Sequence, residues 1–396
     1  MVGIVALTAA YMLSQFYRSF LAVLTPVLSL ELNATNAELS MASGTWFIVF
    51  ALMQFAVGMA LDRIGPRITT AALLGLCGTA GALLLAVASS PWAVIVAMAL
   101  IGMGCAPVLM ASVFIFAKLY PPKRLATLTS SFMGLGLVGS IIGTSPLAAA
   151  AEYWGWRAVM IGFAVVTLAC ALLIYLFVKE PPREQAPSTD GFIRGYVELL
   201  RMRSILFIIP MALVITIASQ TIRGLWMGPY LHDVYHADPV EIGQIALYMA
   251  IALVVGSFAY GPLDTIFRTR KWILVWSSIV TIAVLLWLTM EPEAPMFHLI
   301  SALVVIGFCG SGYGVLLAHG KAFMPSHLIG RGSTLLNFFS IGGVGVAQFI
   351  TAGIYAAAAV PGDPAWGYQV VFLSLAVMMI VGLLFYLFSE DAAPVR

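Results

Sequence analysis

The chain has 396 residues, 62% of them apolar and only 9% charged, with a formal net charge of +2. Soluble proteins carry about 25% charged residues, so this composition excludes an ordinary soluble domain and points to an integral membrane protein. The net charge says little by itself, since where the charges sit matters more; the partners expected are the lipid bilayer and a small molecule, with no nucleic acid. Cys77, Cys105, Cys170 and Cys309 all fall in apolar stretches. Their spacing is neither paired nor metal-binding, so they read as small core residues without a disulfide.

Apolar segments of about 20 residues or more, each able to cross a bilayer, lie near 3–30, 41–61, 69–89, 92–118, 126–150, 157–178, 204–231, 242–262, 272–290, 296–320, 333–358 and 367–388. The expected fold is therefore all-α, with twelve transmembrane helices, numbered here as spans 1 to 12. The chain opens directly into span 1 without a charged leader or an evident small-residue cleavage site, so no removable signal peptide is expected.

Span 1 carries Ser14-Gln15-Phe16-Tyr17-Arg18. An arginine near the middle of a span costs about 2.5–3.5 kcal/mol on insertion scales, so a chain that keeps one is expected to use it. The stretch recurs 205 residues later in span 7 as Ser219-Gln220-Thr221-Ile222-Arg223. Further matches follow in the same order: Ile101-Gly102 with Ile306-Gly307, Arg124-x-x-Thr127-Leu128 with Arg331-x-x-Thr334-Leu335, and Trp154-Gly155-Trp156-Arg157 with Trp366-Gly367-Tyr368-Gln369. A duplicated six-helix unit explains them. The expected organisation is one six-helix bundle over 1–178, a linker over 179–203 and a second bundle over 204–396. The later part of the linker, 190–203, has apolar residues spaced for a short interfacial helix.

Orientation follows from lysine and arginine. With a cytoplasmic N-terminus, the inside loops hold Arg63, Arg67, Lys118, Lys123, Arg124, Lys179, Arg183, Arg194, Arg201, Arg203, Arg268, Arg270, Lys271, Lys321, Arg331 and Arg396, sixteen of the 19 basic residues. Arg18 and Arg223 lie within spans and Arg157 alone remains outside. Both termini are thus expected to be cytoplasmic, in a bacterial inner membrane.

The loop after span 2 reads Gly58-Met59-Ala60-Leu61-Asp62-Arg63-Ile64-Gly65-Pro66-Arg67. It resembles the signature loop of the major facilitator superfamily: a glycine, three residues, then Asp-Arg-x-Gly-x-Arg. Within that superfamily the chain resembles bacterial members grouped with nitrate/nitrite porters. The resemblance implies two pseudo-symmetric six-helix bundles (the major facilitator fold), alternating access around a central site, and a cytoplasmic gate at Gly58, Asp62, Arg63, Gly65 and Arg67. The second copy, Asp264-Thr265-Ile266-Phe267-Arg268-Thr269-Arg270, keeps the acid at Asp264 but is degraded, so a weaker latch is expected there. Gly134, Gly136, Gly139, Gly143 and Pro146 in span 5 resemble part of an antiporter motif, though close glycine packing explains them equally well.

Helical spacing puts Tyr11, Gln15 and Arg18 on one face of span 1, and Thr216, Gln220, Arg223 and Met227 on one face of span 7. Tyr17, Trp46, Gln54, Trp226, Tyr230, Tyr313 and Asn337 are the other candidates for the solute site. Arginine's planar fork suits carboxylate, phosphate or nitrate and stays charged at physiological pH. No Asp or Glu stands near the middle of any span, so an incoming anion would supply the countercharge. The expected function is secondary active transport of a small anionic solute, organic or inorganic, by a monomer. The alternative is import of a metal ion or of a bulkier planar, vitamin-like compound, with structural arginines. No catalytic constellation, metal-ligand spacing or cofactor motif is present, so an enzyme is not expected.

Overall fold

A computed structural model describes residues 2–119, 132, 134–180, 191–325, 329–360 and 363–392. Lys123, Arg124, Thr127, Leu128, Arg183 and Arg396 lie outside the described residues, as do the side chains of Asp62, Arg63, Lys118, Arg194 and Arg331. The described chain is helical almost throughout. Among the described residues, eleven helices are long and apolar enough to cross a membrane, and two shorter apolar helices, Val2–Phe16 and Phe20–Leu32, precede them. Those two make up the expected span 1, so the pattern agrees with twelve spans. The linker contains the expected short helix, Gly191–Arg201.

Spans 1 and 7, expected as continuous helices, are both interrupted. Span 1 breaks at Tyr17-Arg18-Ser19. Span 7, Arg203–Tyr235, is helical over Arg203–Val214 and Ile217–Thr221, turns to a π-helix over Ile222–Trp226, and resumes as α-helix over Met227–Tyr235. Apolar run length says only that a segment can cross; it does not register a local change in backbone hydrogen bonding.

The chain divides into two compact units. One comprises Met1–Ala186 with Met227–Pro229 and Asp238–Gln244; the other comprises Pro187–Trp226, Tyr230–Ala237 and Ile245–Arg396.

Local structure repeats along the chain. Asn33 ends the helix Phe20–Leu32 in the left-handed conformation at φ 51°, and His236 ends Met227–Tyr235 likewise at φ 55°. Span 2 then starts with a capping box: Thr35 N–H donates to Glu38 Oε2 at 2.9 Å and Glu38 N–H donates to Thr35 Oγ1 at 3.2 Å. Span 8 starts with the same device, Asp238 N–H to Glu241 Oε2 at 3.1 Å and Glu241 N–H to Asp238 Oδ1 at 2.8 Å. Each box satisfies two of the helix's otherwise orphaned N–H groups.

Glycines set the helix approaches. A Cβ on Gly102 would fall 2.6 Å from the Trp46 carbonyl oxygen, and one on Gly307 would fall 2.7 Å from that of Met249. In the same way a Cβ on Gly139 would run into the Met12 carbonyl oxygen and one on Gly343 into that of Leu213. Spans 4 and 2, 10 and 8, 5 and 1, and 11 and 7 therefore pack backbone to side-chain-free backbone, as small residues permit in membranes.

Candidate functional site

Arg18 sits in the three-residue break of span 1 and is 9% exposed. Its guanidinium lies over the rings of Trp46, 5.5 Å from the centroid, and Phe50, 5.0 Å, both on span 2. The two rings stack on each other with centroids 5.0 Å apart. Aromatic faces attract a cation and hold its plane parallel to them. Gln15 Nε2 donates to the Tyr11 hydroxyl at 2.8 Å, and Tyr11 stacks on Phe132 at 4.8 Å. Tyr11 and Gln15 thus meet as their spacing requires, while Arg18 follows the end of that helix.

Tyr17 and Gln54 have partners of their own. The Tyr17 hydroxyl pairs with Thr167 Oγ1 of span 6 at 3.1 Å. Gln54 Nε2 donates to the carbonyls of Phe50 at 3.4 Å and Ala106 at 3.3 Å. Phe50 itself was not among the sequence candidates. Its place four residues before Gln54 and four after Trp46 is the signal that would have found it.

Arg223 lies in the π-helical stretch of span 7 and is 2% exposed. Its Nη2 donates to Gln220 Oε1 at 2.9 Å, so the second Gln-x-x-Arg pair is joined directly. Two polar contacts tie span 7 to span 11: Thr216 Oγ1 with Ser340 Oγ at 3.3 Å, and Trp226 Nε1 donating to Thr351 Oγ1 at 2.9 Å. Trp226 also packs against Tyr355 at 5.0 Å, and Tyr230 against Tyr368 at 5.1 Å. The Tyr230 hydroxyl donates to the Pro292 carbonyl. Trp226 and Tyr230 are therefore held in an aromatic cluster with their polar atoms bonded. Tyr313 donates to Asn337 Oδ1 at 3.1 Å, and both side chains are half-buried.

At the loop after span 2, Gly58 is helical and Gly65 has φ 105°, a conformation that favours glycine. A Cβ on Gly65 would run into the Glu180 carboxylate, which pairs with Arg67 Nε at 3.4 Å. The Arg67 guanidinium lies over Tyr175 at 5.5 Å. The Asp62 and Arg63 side chains of the expected gate lie outside the described residues. In the second copy Asp264 pairs with Arg270 at 3.1 Å, each side chain 17% exposed, and Arg270 also donates to the Ala318 carbonyl at 3.2 Å. Arg157, the lone basic residue expected outside, pairs with Glu31 and lies over Trp156 at 4.3 Å.

The description of the Major Facilitator Superfamily matches residues 7–348. The fosmidomycin resistance protein of Escherichia coli is 23% identical over 350 residues, covering 86% of this chain and 84% of that protein. The MFS-type transporter TOXA of Cochliobolus carbonum is 29% identical over 201 residues, and the hexuronate transporter of Bacillus subtilis 26% over 173. Those two alignments cover 50% and 42% of this chain but only 35% and 39% of the relatives' own lengths. Among solved structures, a bacterial homologue of the human lysosomal transporter Spinster, in an inward-facing and unoccupied conformation, superposes with a TM-score of 0.80 at 18% identity, covering 98% of this chain and 96% of that one. The nucleoside transporter NupG superposes with a TM-score of 0.76 at 12% identity, covering 98% of each. Likeness at such low identity concerns the fold.

Proposed function

The chain belongs to the Major Facilitator Superfamily, and on that premise we propose that it is a secondary active transporter that moves a small anionic solute by alternating access, with Arg18 and Arg223 binding the anionic group. The observation that carries this reading is that each arginine, buried to 9% and 2% exposure, sits where its span departs from regular α-helix. Interrupted helices are a recurrent way for transporters of several folds to present polar groups to a solute at membrane depth. A guanidinium binds carboxylate, phosphate or nitrate bidentately and keeps its charge throughout the cycle. The hexuronate transporter among the relatives is consistent with a carboxylate solute. The resemblance to nitrate/nitrite porters keeps small inorganic anions within the same class. Gln15 and Gln220 accompany the two arginines in the proposed site, with Tyr11 and Trp46 beside Arg18. The loop groups Gly65, Arg67 and Asp264 act in the proposed gate.

The proposed setting is a bacterial inner membrane with both termini cytoplasmic, which the distribution of lysine and arginine supports. A second reading, a neutral planar solute with structural arginines, draws on the stacking of Arg18 over Trp46 and Phe50.

Thermal unfolding of purified protein separates the two readings. Anything that binds the native state raises its apparent stability by mass action. Nitrate and a panel of carboxylates and phosphates are compared with flavin and copper, on the wild type and on Arg18→Ala and Arg223→Ala. The expected result is stabilisation of the wild type by an anion, lost in both variants. Wild-type anion affinity in well-folded variants, or a response only to flavin or copper, would overturn the assignment of the arginines.

A further inference from the structure

Span 11 contains a buried amide that neither the sequence candidates nor the arginine pair accounts for. Gln348 is 0% exposed, and neither its Nε2 nor its Oε1 has a hydrogen-bond partner among the described residues. A buried polar atom without a partner is destabilising, and a glutamine carries two such atoms.

Its height along the span can be read from the contacts on either side. Span 11 touches span 7 at Ser340 with Thr216 and again at Thr351 with Trp226, at 3.3 Å and 2.9 Å. Residue number rises in the same direction on both helices, so the two run parallel there. Gln348 precedes Thr351 by three residues, and Arg223 precedes Trp226 by three. With a rise of about 1.5 Å per residue, the amide and the guanidinium stand at the same level. One residue step separates Gln348 from Ala347, 1% exposed, and four separate it from Val344, 0% exposed, whereas Val346 and Ile350 are exposed, so the face of span 11 that carries Gln348 is packed inside its unit.

We propose that Gln348 is a solute-binding residue and that the solute is a hydroxylated anion. This rests on the reading of Arg223 given above and narrows it. The guanidinium only donates and takes the anionic group. The amide has one acceptor oxygen and two N–H donors, so it is satisfied by a group that both donates and accepts, such as a hydroxyl. Nitrate, or a carboxylate on a bare alkyl chain, offers acceptors alone and leaves Gln348 Oε1 without a donor. A site built to hydrogen-bond a solute hydroxyl rejects the analogue that lacks it, because its own buried groups then stay unpaired.

The test uses full-length protein and four probes: D-gluconate, hexanoate, nitrate and the uncharged polyol sorbitol. Binding is measured calorimetrically on the wild type, Gln348→Leu, Gln348→Asn and Arg223→Ala. The wild type is expected to prefer gluconate to hexanoate by roughly tenfold or more. Gln348→Leu is expected to abolish that preference while keeping hexanoate affinity within about threefold, and to equal or exceed the wild type in ligand-free thermal stability, since it removes buried polar atoms that have no partner. Gln348→Asn, with a shorter reach, is expected to fall between them. Anion binding without hydroxyl preference, or a preference intact in Gln348→Leu, overturns this inference and leaves the anion reading standing. Gln348-dependent binding of sorbitol, with anion affinity unchanged in Arg223→Ala, overturns the anion reading and leaves Gln348 as a hydroxyl-binding residue. A Gln348→Leu protein that loses its fold shows that the amide is structural and overturns the inference, as does the absence of binding by all four probes.

Discussion

Asp391 caps a helix that is far from it in sequence. Its carboxylate accepts from the Thr269 hydroxyl and from the backbone N–H groups of Arg270 at 3.1 Å and Lys271 at 3.0 Å, where the helix Lys271–Met290 begins. The Lys271 ammonium donates in return to the carbonyls of Leu387 and Ser389, both at 2.7 Å. Burial pushes the Asp391 carboxyl up, but the hydroxyl and the two N–H groups outweigh it and hold the carboxyl below its usual value. A carboxyl with a depressed native value contributes stability above its unfolded value, near 3.9, and loses it as the pH falls through the native one. Asp391→Asn is therefore expected to lower the melting temperature at neutral pH, with the gap to wild type closing below about pH 4. Melting curves across that range check this, and a gap independent of pH would show that charge is not what matters. No sequence pattern announced this contact, because the cap and the helix start are joined only by the folded chain. The Gln-Arg pairs were legible: each recurs at fixed spacing in an apolar stretch, where charge is conspicuous. Gln348 was not, since one amide in a long apolar run repeats nothing and belongs to no motif.

Glycine lets helices of this chain approach one another closely, and the close approaches are specific. Gly139 brings span 5 onto the Met12 carbonyl of span 1, and Gly343 brings span 11 onto the Leu213 carbonyl of span 7. A side chain at either position meets backbone, which cannot rotate away. Gly139→Val and Gly343→Val are each expected to destabilise by about 1–3 kcal/mol through overpacking. Gly162 on span 6 has nothing within 4 Å of its would-be Cβ, so Gly162→Ala is expected to gain up to about 1 kcal/mol from helix propensity alone. Thermal unfolding in detergent measures all three, and equal effects at the three positions would refute the contact argument. In the sequence, the glycines of span 5 leave two explanations open, packing or exchange. The contacts of Gly136, Gly139 and Gly143 with Tyr11, Met12 and Ser19 supply packing as a sufficient account. The sequence does not signal the breaks in spans 1 and 7, because hydropathy is blind to whether a backbone N–H bonds three, four or five residues back.

Across the whole molecule, the placement of charge predicts how the chain is threaded through the bilayer. Basic residues concentrate in alternate loops, and the exception, Arg157, has Glu31 as its ion-pair partner and Trp156 beneath it. With the N-terminus cytoplasmic, the turn between spans 5 and 6 lies outside and the turn between spans 8 and 9 inside. Trp154 is 68% exposed at the first turn, and Arg268 is exposed at the second. In a background lacking the native cysteines, Trp154→Cys is expected to react with a membrane-impermeant thiol reagent in intact cells, and Arg268→Cys only after permeabilisation. The reverse pattern would invert the topology.

The sequence by itself determined the number of spans, the family through its Asp-Arg-x-Gly-x-Arg loop, and the recurrence of an arginine in spans 1 and 7. These are properties of composition and spacing, which survive any rearrangement of the chain. Only the tertiary structure decided that Arg18 lies over Trp46 and Phe50, that Trp226 and Tyr230 are bonded within an aromatic cluster, that Asp391 caps span 9, and that Gln348 stands level with Arg223. Each depends on which helix faces which and at what height. Among helices that are apolar nearly all round, neither can be read from periodicity, because no polar face marks the side that turns inward.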